Sequence, residues 1–230
     1  MKSLLQKYFT PFELGLWLSS LGIILLSFFI FDGEGYLSLI ASLVGATSLI
    51  FCSKGNPIGE GLIIIFSLIY AYISFTYSYY GEMITYLGMT APMAVVALIT
   101  WLKNPFDGKK SEVRVNKISS RELIFLVFLT ALVTLAFYFV LKLLGTSSLA
   151  VSTISVATSF FAVYLTARRS AYYALAYALN DIVLIVMWII ATVSDPSYVS
   201  VTVCFLAFLA NDLYGFFNWR RMERRQSEGM

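Results

Sequence analysis

The chain contains no histidine, and charged residues make up only 13% of its 230 positions, against roughly 25% in an ordinary soluble domain. Without histidine the commonest general base and metal ligand is missing. The scarcity of charge excludes a large soluble domain. No HExxH pair and no glycine-rich phosphate loop running into Lys-Ser/Thr occurs, so metalloprotease and nucleotide-hydrolysing chemistry have no site to use. The only two cysteines, Cys52 and Cys204, lack the CxxC spacing of a metal or redox pair and read as free thiols. No catalytic residue, metal or cofactor is expected. Of five prolines, only Pro92 falls inside a long apolar run, where it removes a backbone hydrogen bond and bends the helix.

What the chain has instead is apolar side chains, at 59% hydrophobic and 17% aromatic residues. Runs of about 20 apolar residues are long enough to cross a bilayer as helices. Reading them between charged or turn-forming breaks predicts spans at 12–31, 36–52, 59–80, 83–102, 122–144, 149–167, 172–194 and 197–219. The expected fold class is an all-α integral membrane protein with eight transmembrane helices. The first run follows Lys2 and Lys7, as the core of a signal peptide would. It is too long for one and ends in Phe31-Asp32-Gly33 rather than a small-residue cleavage site, so it is kept as a span.

Alternating the connections places Lys54, the run from Lys103 to Arg121, Arg168-Arg169 and the stretch from Arg220 to Arg225 on the same side as Lys2 and Lys7. Lys142 falls on the other side, with Asp32, Glu34, Glu82 and Asp195. By the positive-inside rule both termini are cytoplasmic. That rule and attraction to anionic lipid account for the basic loop 103–121, and no nucleic-acid partner is expected.

Aligning span ends sets Lys54 against Arg168, and Trp101-Leu102-Lys103 against Trp219-Arg220-Arg221. Spans two to four (36–102) then match spans six to eight (149–219). The fifth span (122–144) is a linker helix that makes the two triplets parallel, the first span (12–31) is an addition, and 220–230 is a basic cytoplasmic tail. This 3+1+3 layout is that of parallel-repeat carriers such as the SWEET sugar transporters. It points to a pathway between halves. Trp101 and Trp219, at the basic ends of their spans, read as interfacial anchors.

Two Asn-Asp pairs, Asn180-Asp181 and Asn211-Asp212, lie inside apolar runs, where an ionisable group costs several kcal/mol unless it faces a cavity or a partner. Both sit about 8 to 12 residues from the Arg-rich ends of their spans, near mid-bilayer at about 1.5 Å per residue. In the seventh span Tyr173, Tyr177, Asn180, Asp181, Leu184 and Trp188 recur at three- and four-residue steps, so one face carries aromatics around a polar centre. Such a face suits a flat, hydrogen-bonding ligand. The competing reading puts the tyrosines and Trp188 in an aromatic belt. Asn211, Asp212 and Tyr214 repeat the theme in the eighth span. Ser155 and Ser159, within the stripe Ser148, Ser152, Ser155, Ser159, and Ser67 and Tyr70, within the stripe Ser67, Tyr70, Ser74, Tyr77, are further candidates. For the serines, close helix packing is the competing role. In the repeat alignment Asn180-Asp181 meets Phe66-Ser67, and Asn211-Asp212 meets Met93-Ala94. An asymmetric site anchored on spans seven and eight is expected.

Over essentially its whole length the chain resembles the PnuC family of bacterial nicotinamide riboside transporters. The strings that carry the likeness are Tyr80-Gly81-Glu82-Met83, Trp101-Leu102-Lys103-Asn104, Arg168-Arg169, and Tyr214-Gly215 followed by Trp219-Arg220. The resemblance implies a SWEET-like fold, a homotrimer in the bacterial inner membrane, and facilitated diffusion with the substrate trapped by a cytoplasmic riboside kinase. It also implies a vitamin site with a Trp-x-x-Trp pattern after the basic residues of span seven. Here that register holds Tyr173 and Ala176, and the amide position that follows is Asn180. Relatives of the family carry thiamine, riboflavin or deoxynucleosides, which keeps these as alternative cargoes. The other readings are an intramembrane aspartyl enzyme built on Asp181 and Asp212, and a structural membrane subunit.

Overall fold

The computed structural model describes residues 8–76, 80–146 and 148–228. Lys2, Lys7 and Tyr77 lie outside the described residues. Among the described residues, eight helices are long and apolar enough to cross a membrane: Pro11–Asp32, Tyr36–Ser53, Ile58–Thr76, Met83–Lys103, Ser120–Leu143, Leu149–Ala167, Tyr173–Thr192 and Pro196–Glu228. The first opens with a capping box. Thr10 Oγ1 accepts from Glu13 N at 3.2 Å, Thr10 N donates to Glu13 Oε2 at 2.7 Å, and Pro11 occupies the first turn. The fifth begins at Ser119, whose side chain accepts from Glu122 N.

The seventh and eighth spans pack side by side, as do the second and third, and the eighth also lies along the second and first. The fifth packs on the sixth and otherwise exposes apolar side chains such as Ile124, Phe125 and Phe128. The bend expected at Pro92 is a change of helical register. Residues Tyr86–Thr90 form a π-helical turn, Ala91 N reaches back to Tyr86 O, and Pro92 then falls in the first turn of Ala91–Lys103, where its missing N–H breaks no α-helical bond.

The basic loop and tail are more ordered than the sequence predicts. The loop folds into an antiparallel pair, β1 (Pro105–Phe106) and β2 (Lys109–Val113). Val113 N donates to Gly55 O and Asn116 N to Arg169 O, each at 2.9 Å. The eighth helix does not end at 219 but continues to Glu228. Its extension buries Met222 and Gln226 against the loop, and Gln226 accepts from Val115 N at 2.8 Å and donates to Val113 O at 3.1 Å.

Trp101 and Trp219 are not interfacial anchors. Both are 0% exposed, with rings 5.2 Å apart. Trp101 Nε1 donates to Thr166 O at 2.9 Å, and Trp219 Nε1 to Cys52 O at 2.8 Å. Each indole thus closes onto the last turn of a helix from the other half of the chain. The turns that follow those helices match as well. Gly55 (φ 66°) and Arg169 (φ 58°) both take the left-handed conformation, and Gly55 N bonds Cys52 O at 2.8 Å as Arg169 N bonds Thr166 O at 2.9 Å.

Candidate functional site

A cavity of about 100 Å³ lies between spans two, three, four, six, seven and eight, with Leu141 of the fifth at its edge. The helical periodicity of the seventh span turns Tyr173, Tyr177, Asn180, Asp181 and Leu184 towards it, and the sixth contributes Ser152, Ser155 and Ser159. The eighth adds Phe205, Phe208 and Asp212, and the third adds Glu60, Ile63 and Phe66. Gly45 of the second span lets Phe208 approach closely, since a Cβ there would stand 2.5 Å from Phe208 Cζ.

Asn180 Oδ1 accepts three hydroxyls, from Thr158 at 2.7 Å, Ser159 at 3.0 Å and Ser155 at 3.4 Å. The carbonyl end is therefore held by the sixth span, which leaves the amide hydrogens to serve a ligand. Asp181 and Asp212 are each 4% exposed. They approach closely enough to share a hydrogen bond when one is protonated, and Asp181 Oδ2 has no other partner among the described residues. Across the cavity Glu60 is 3% exposed and accepts from the Cys52 thiol at 3.5 Å. Among the described residues the lining carries these carboxyl groups with no Lys or Arg, and its aromatic walls include Tyr173, Tyr177, Phe66 and Tyr86. Tyr173 rests edge-on against Trp219 at 4.8 Å, so the tryptophan pair backs the basic end of the cavity.

The cavity gathers seven of the twelve candidate residues, Tyr173, Tyr177, Asn180, Asp181, Asp212, Ser155 and Ser159. The other five lie elsewhere. Trp188 and Tyr70 line a separate cavity on the acidic face. Ser67 turns its hydroxyl to Ile63 O at 2.8 Å within its own helix. Asn211 faces the first span, donating to Ser20 Oγ and Ala207 O at 2.8 Å. Tyr214 donates to Glu13 Oε1 at 2.8 Å, beside the Lys54–Glu13 ion pair of 2.9 Å. Adjacent positions on a helix point about 100° apart, and in the eighth span Asp212 takes the cavity side while Asn211 takes the first-span side.

Among the polar residues at the site, Glu60 and Thr158 are ones that sequence reasoning missed, as it also missed the aromatic wall residues Phe66 and Tyr86. Glu60 sits in the first turn of its span, where a charge reads as interfacial. The signal for it was its spacing to Ile63 and Phe66 on one helical face. Glu13, equally near a helix start, is also buried, but with a cationic partner, Lys54.

A membrane-spanning helical bundle that encloses an acidic, aromatic cavity between its two halves has the architecture of a solute carrier. The chain belongs to the nicotinamide mononucleotide transporter family, whose sequence model matches residues 35–221. It is 26% identical over 204 residues to the nicotinamide riboside transporter PnuC of Neisseria mucosa, covering 86% of this chain and 77% of that one. It is 24% identical over 216 residues to the nicotinamide riboside transporter PnuC of Haemophilus influenzae, covering 94% and 92%. The fold superposes on the crystal structure of the vitamin B3 transporter PnuC with a TM-score of 0.82 at 24% identity, over 95% of this chain and 94% of that chain. The protein is a multi-pass membrane transporter, and its family is one of transporters rather than enzymes. The closeness of Asp181 and Asp212 is the geometry an aspartyl mechanism would need, but family membership removes that reading.

Proposed function

We propose that the protein is a uniporter of nicotinamide riboside. The observation that carries this reading is the cavity lining, which offers Glu60, Asp181 and Asp212 without any basic side chain, between aromatic walls. A pyridinium ring is flat and cationic, so it gains from aromatic faces and from nearby carboxylates. The ribose hydroxyls find the Asn180 amide and the serines of the sixth span. The names of the Neisseria mucosa and Haemophilus influenzae relatives support the same cargo.

The acidic lining also favours the riboside over the mononucleotide. Among the described residues the cavity offers no Lys or Arg to receive a phosphate, so the mononucleotide is expected to bind more weakly than the riboside. Several finer features belong to this reading. The basic face is cytoplasmic, so both termini are too, and the membrane is the bacterial inner membrane. Three copies assemble, and a cytoplasmic riboside kinase traps the cargo. The halves are parallel repeats, a reading supported by the crossed Trp101–Thr166 and Trp219–Cys52 bonds, since Cys52 and Thr166 are equivalent in the alignment that sets Lys54 against Arg168.

Competition binding to purified protein with nicotinamide riboside, its mononucleotide, thiamine, riboflavin and a deoxynucleoside tests the cargo. Tight binding of the riboside alone is expected. Failure of the riboside to bind, with any other compound binding, overturns the reading in favour of that cargo. Uptake into vesicles that stopped when the proton gradient was removed at constant membrane potential would overturn uniport.

A further inference from the structure

Tyr70 and Trp188 stand outside the central cavity, yet they stand together. They line a second cavity of about 170 Å³ on the acidic face, with Asp32, Asp195 and Tyr198, and no Lys or Arg among the described residues of its lining. Each lies one helical turn beyond a wall residue of the central cavity, Tyr70 after Phe66 on the third span and Trp188 after Leu184 on the seventh. The Tyr70 ring packs on Tyr86 at 4.5 Å and on Phe66 at 5.6 Å, so aromatic side chains form the partition between the two cavities.

The second cavity is built for a particular chemistry. Trp188 and Tyr198 present rings 5.2 Å apart. The indole Nε1 of Trp188 is buried without an acceptor among the described residues, a cost that a ligand carbonyl would remove. Asp32 Oδ1, at the end of the first span, accepts from Gly35 N at 3.0 Å and Asp195 Oδ1 from Ser197 N at 2.9 Å, which holds both carboxylates in place. The Ser197 bonds hold the Asp195 carboxyl below the usual carboxylate range, so it is ionised at neutral pH.

We propose that this cavity is a second ligand site, one that captures a planar aromatic cation bearing a carbonyl group before the cation passes the Tyr70–Tyr86 partition into the central cavity. The ring stacks on Trp188, Tyr198 and Tyr70, the carbonyl accepts from Trp188 Nε1, and Asp32 and Asp195 face the positive charge. The proposal rests on the transport reading given above for the identity of the cargo, but its geometry is independent of the central site.

The two are separable by tryptophan fluorescence, because a pyridinium quenches an indole that it stacks on, as at Trp188, or approaches closely, as at Trp219 behind Tyr173. Full-length protein in nanodiscs, titrated with nicotinamide riboside, is expected to show two saturable quenching components. Trp188→Phe removes one and Asn180→Ala the other. Asp195→Asn changes an exposed loop residue and does not threaten folding. It is expected to weaken the Trp188-dependent component several-fold and to reduce its sensitivity to salt. Neutral nicotinamide is expected not to occupy that component. If Trp188→Phe and Asp195→Asn both leave the titration unchanged while Asn180→Ala abolishes a component, the capture site is overturned and the cargo reading stands. If the Trp188 component persists and no Asn180-dependent component exists, the cargo reading of the central cavity fails alone. Equal binding of nicotinamide overturns the cationic class.

Discussion

Asn180 holds three hydroxyls of the sixth span on one carbonyl oxygen, and this arrangement separates what the residue does for folding from what it does for a ligand. Deprived of Oδ1, Thr158 still reaches Ile154 O at 3.0 Å and Ser155 O at 3.1 Å, and serines on a helix can turn to carbonyls of the preceding turn. The structural loss in Asn180→Ala is therefore small, about 1 kcal/mol. The amide hydrogens have no such substitute, and removing them leaves a ligand hydroxyl or carbonyl unpaired. A tenfold or greater loss of riboside affinity is expected, about 1.4 kcal/mol or more, with only a slight fall in melting temperature. Calorimetric titration and a thermal melt on the same preparation check both halves. A variant that melts far below the parent, or binds like it, contradicts the assignment.

Among the helices, the close crossing of the second and third spans puts Glu60 against Cys52, and it depends on Gly59. A Cβ on Gly59 would stand 2.4 Å from Cys52 Sγ, 2.6 Å from Cys52 N and 2.9 Å from Ser48 O. Two of those are backbone atoms, so the helices themselves must part. Gly59→Ala is expected to cost about 1–3 kcal/mol and to weaken riboside binding by moving Glu60. A Cβ on Gly61, two residues on, would meet nothing within 4 Å, and Gly61→Ala gains helix propensity of up to about 1 kcal/mol. Thermal melts in one detergent should order the proteins Gly59→Ala, parent, Gly61→Ala, and the reverse order would refute the packing argument. The spans themselves were legible because about 20 apolar residues in a row have one physical solution in lipid. The β1–β2 pair and the extended eighth helix were not. Their residues are polar and gain order from tertiary bonds, Val113 to Gly55, Asn116 to Arg169 and Gln226 to the loop, which no local pattern announces.

At the scale of the whole molecule, Asn180, Asp181 and Asp212, deep in their spans, were readable as candidates for the cavity they line, whereas Glu60, near a span end, was not. The tryptophans show the converse: a Trp beside basic residues looks like a belt residue until another helix covers it. Covered, Trp101 and Trp219 close the basic end of the bundle, because each indole donates to the half of the chain it does not belong to. If one half rocks against the other to open the cavity to the cytoplasm, both bonds must break. Losing one such bond removes about 1 kcal/mol from the closed state, which shifts a two-state equilibrium about fivefold towards the open one. Cys52 reports on that shift, since its thiol lines the cavity and its carbonyl receives Trp219 Nε1. In a Cys204→Ser background, Trp219→Phe is expected to raise the rate at which a membrane-impermeant maleimide labels Cys52 from the cytoplasmic side several-fold. Trp101→Phe should do the same through the equivalent bond to Thr166, and bound riboside should slow labelling in each. Mass spectrometry of inside-out vesicles over time gives the rates. Equal rates in parent and variants would mean that the tryptophan pair is not part of the closure.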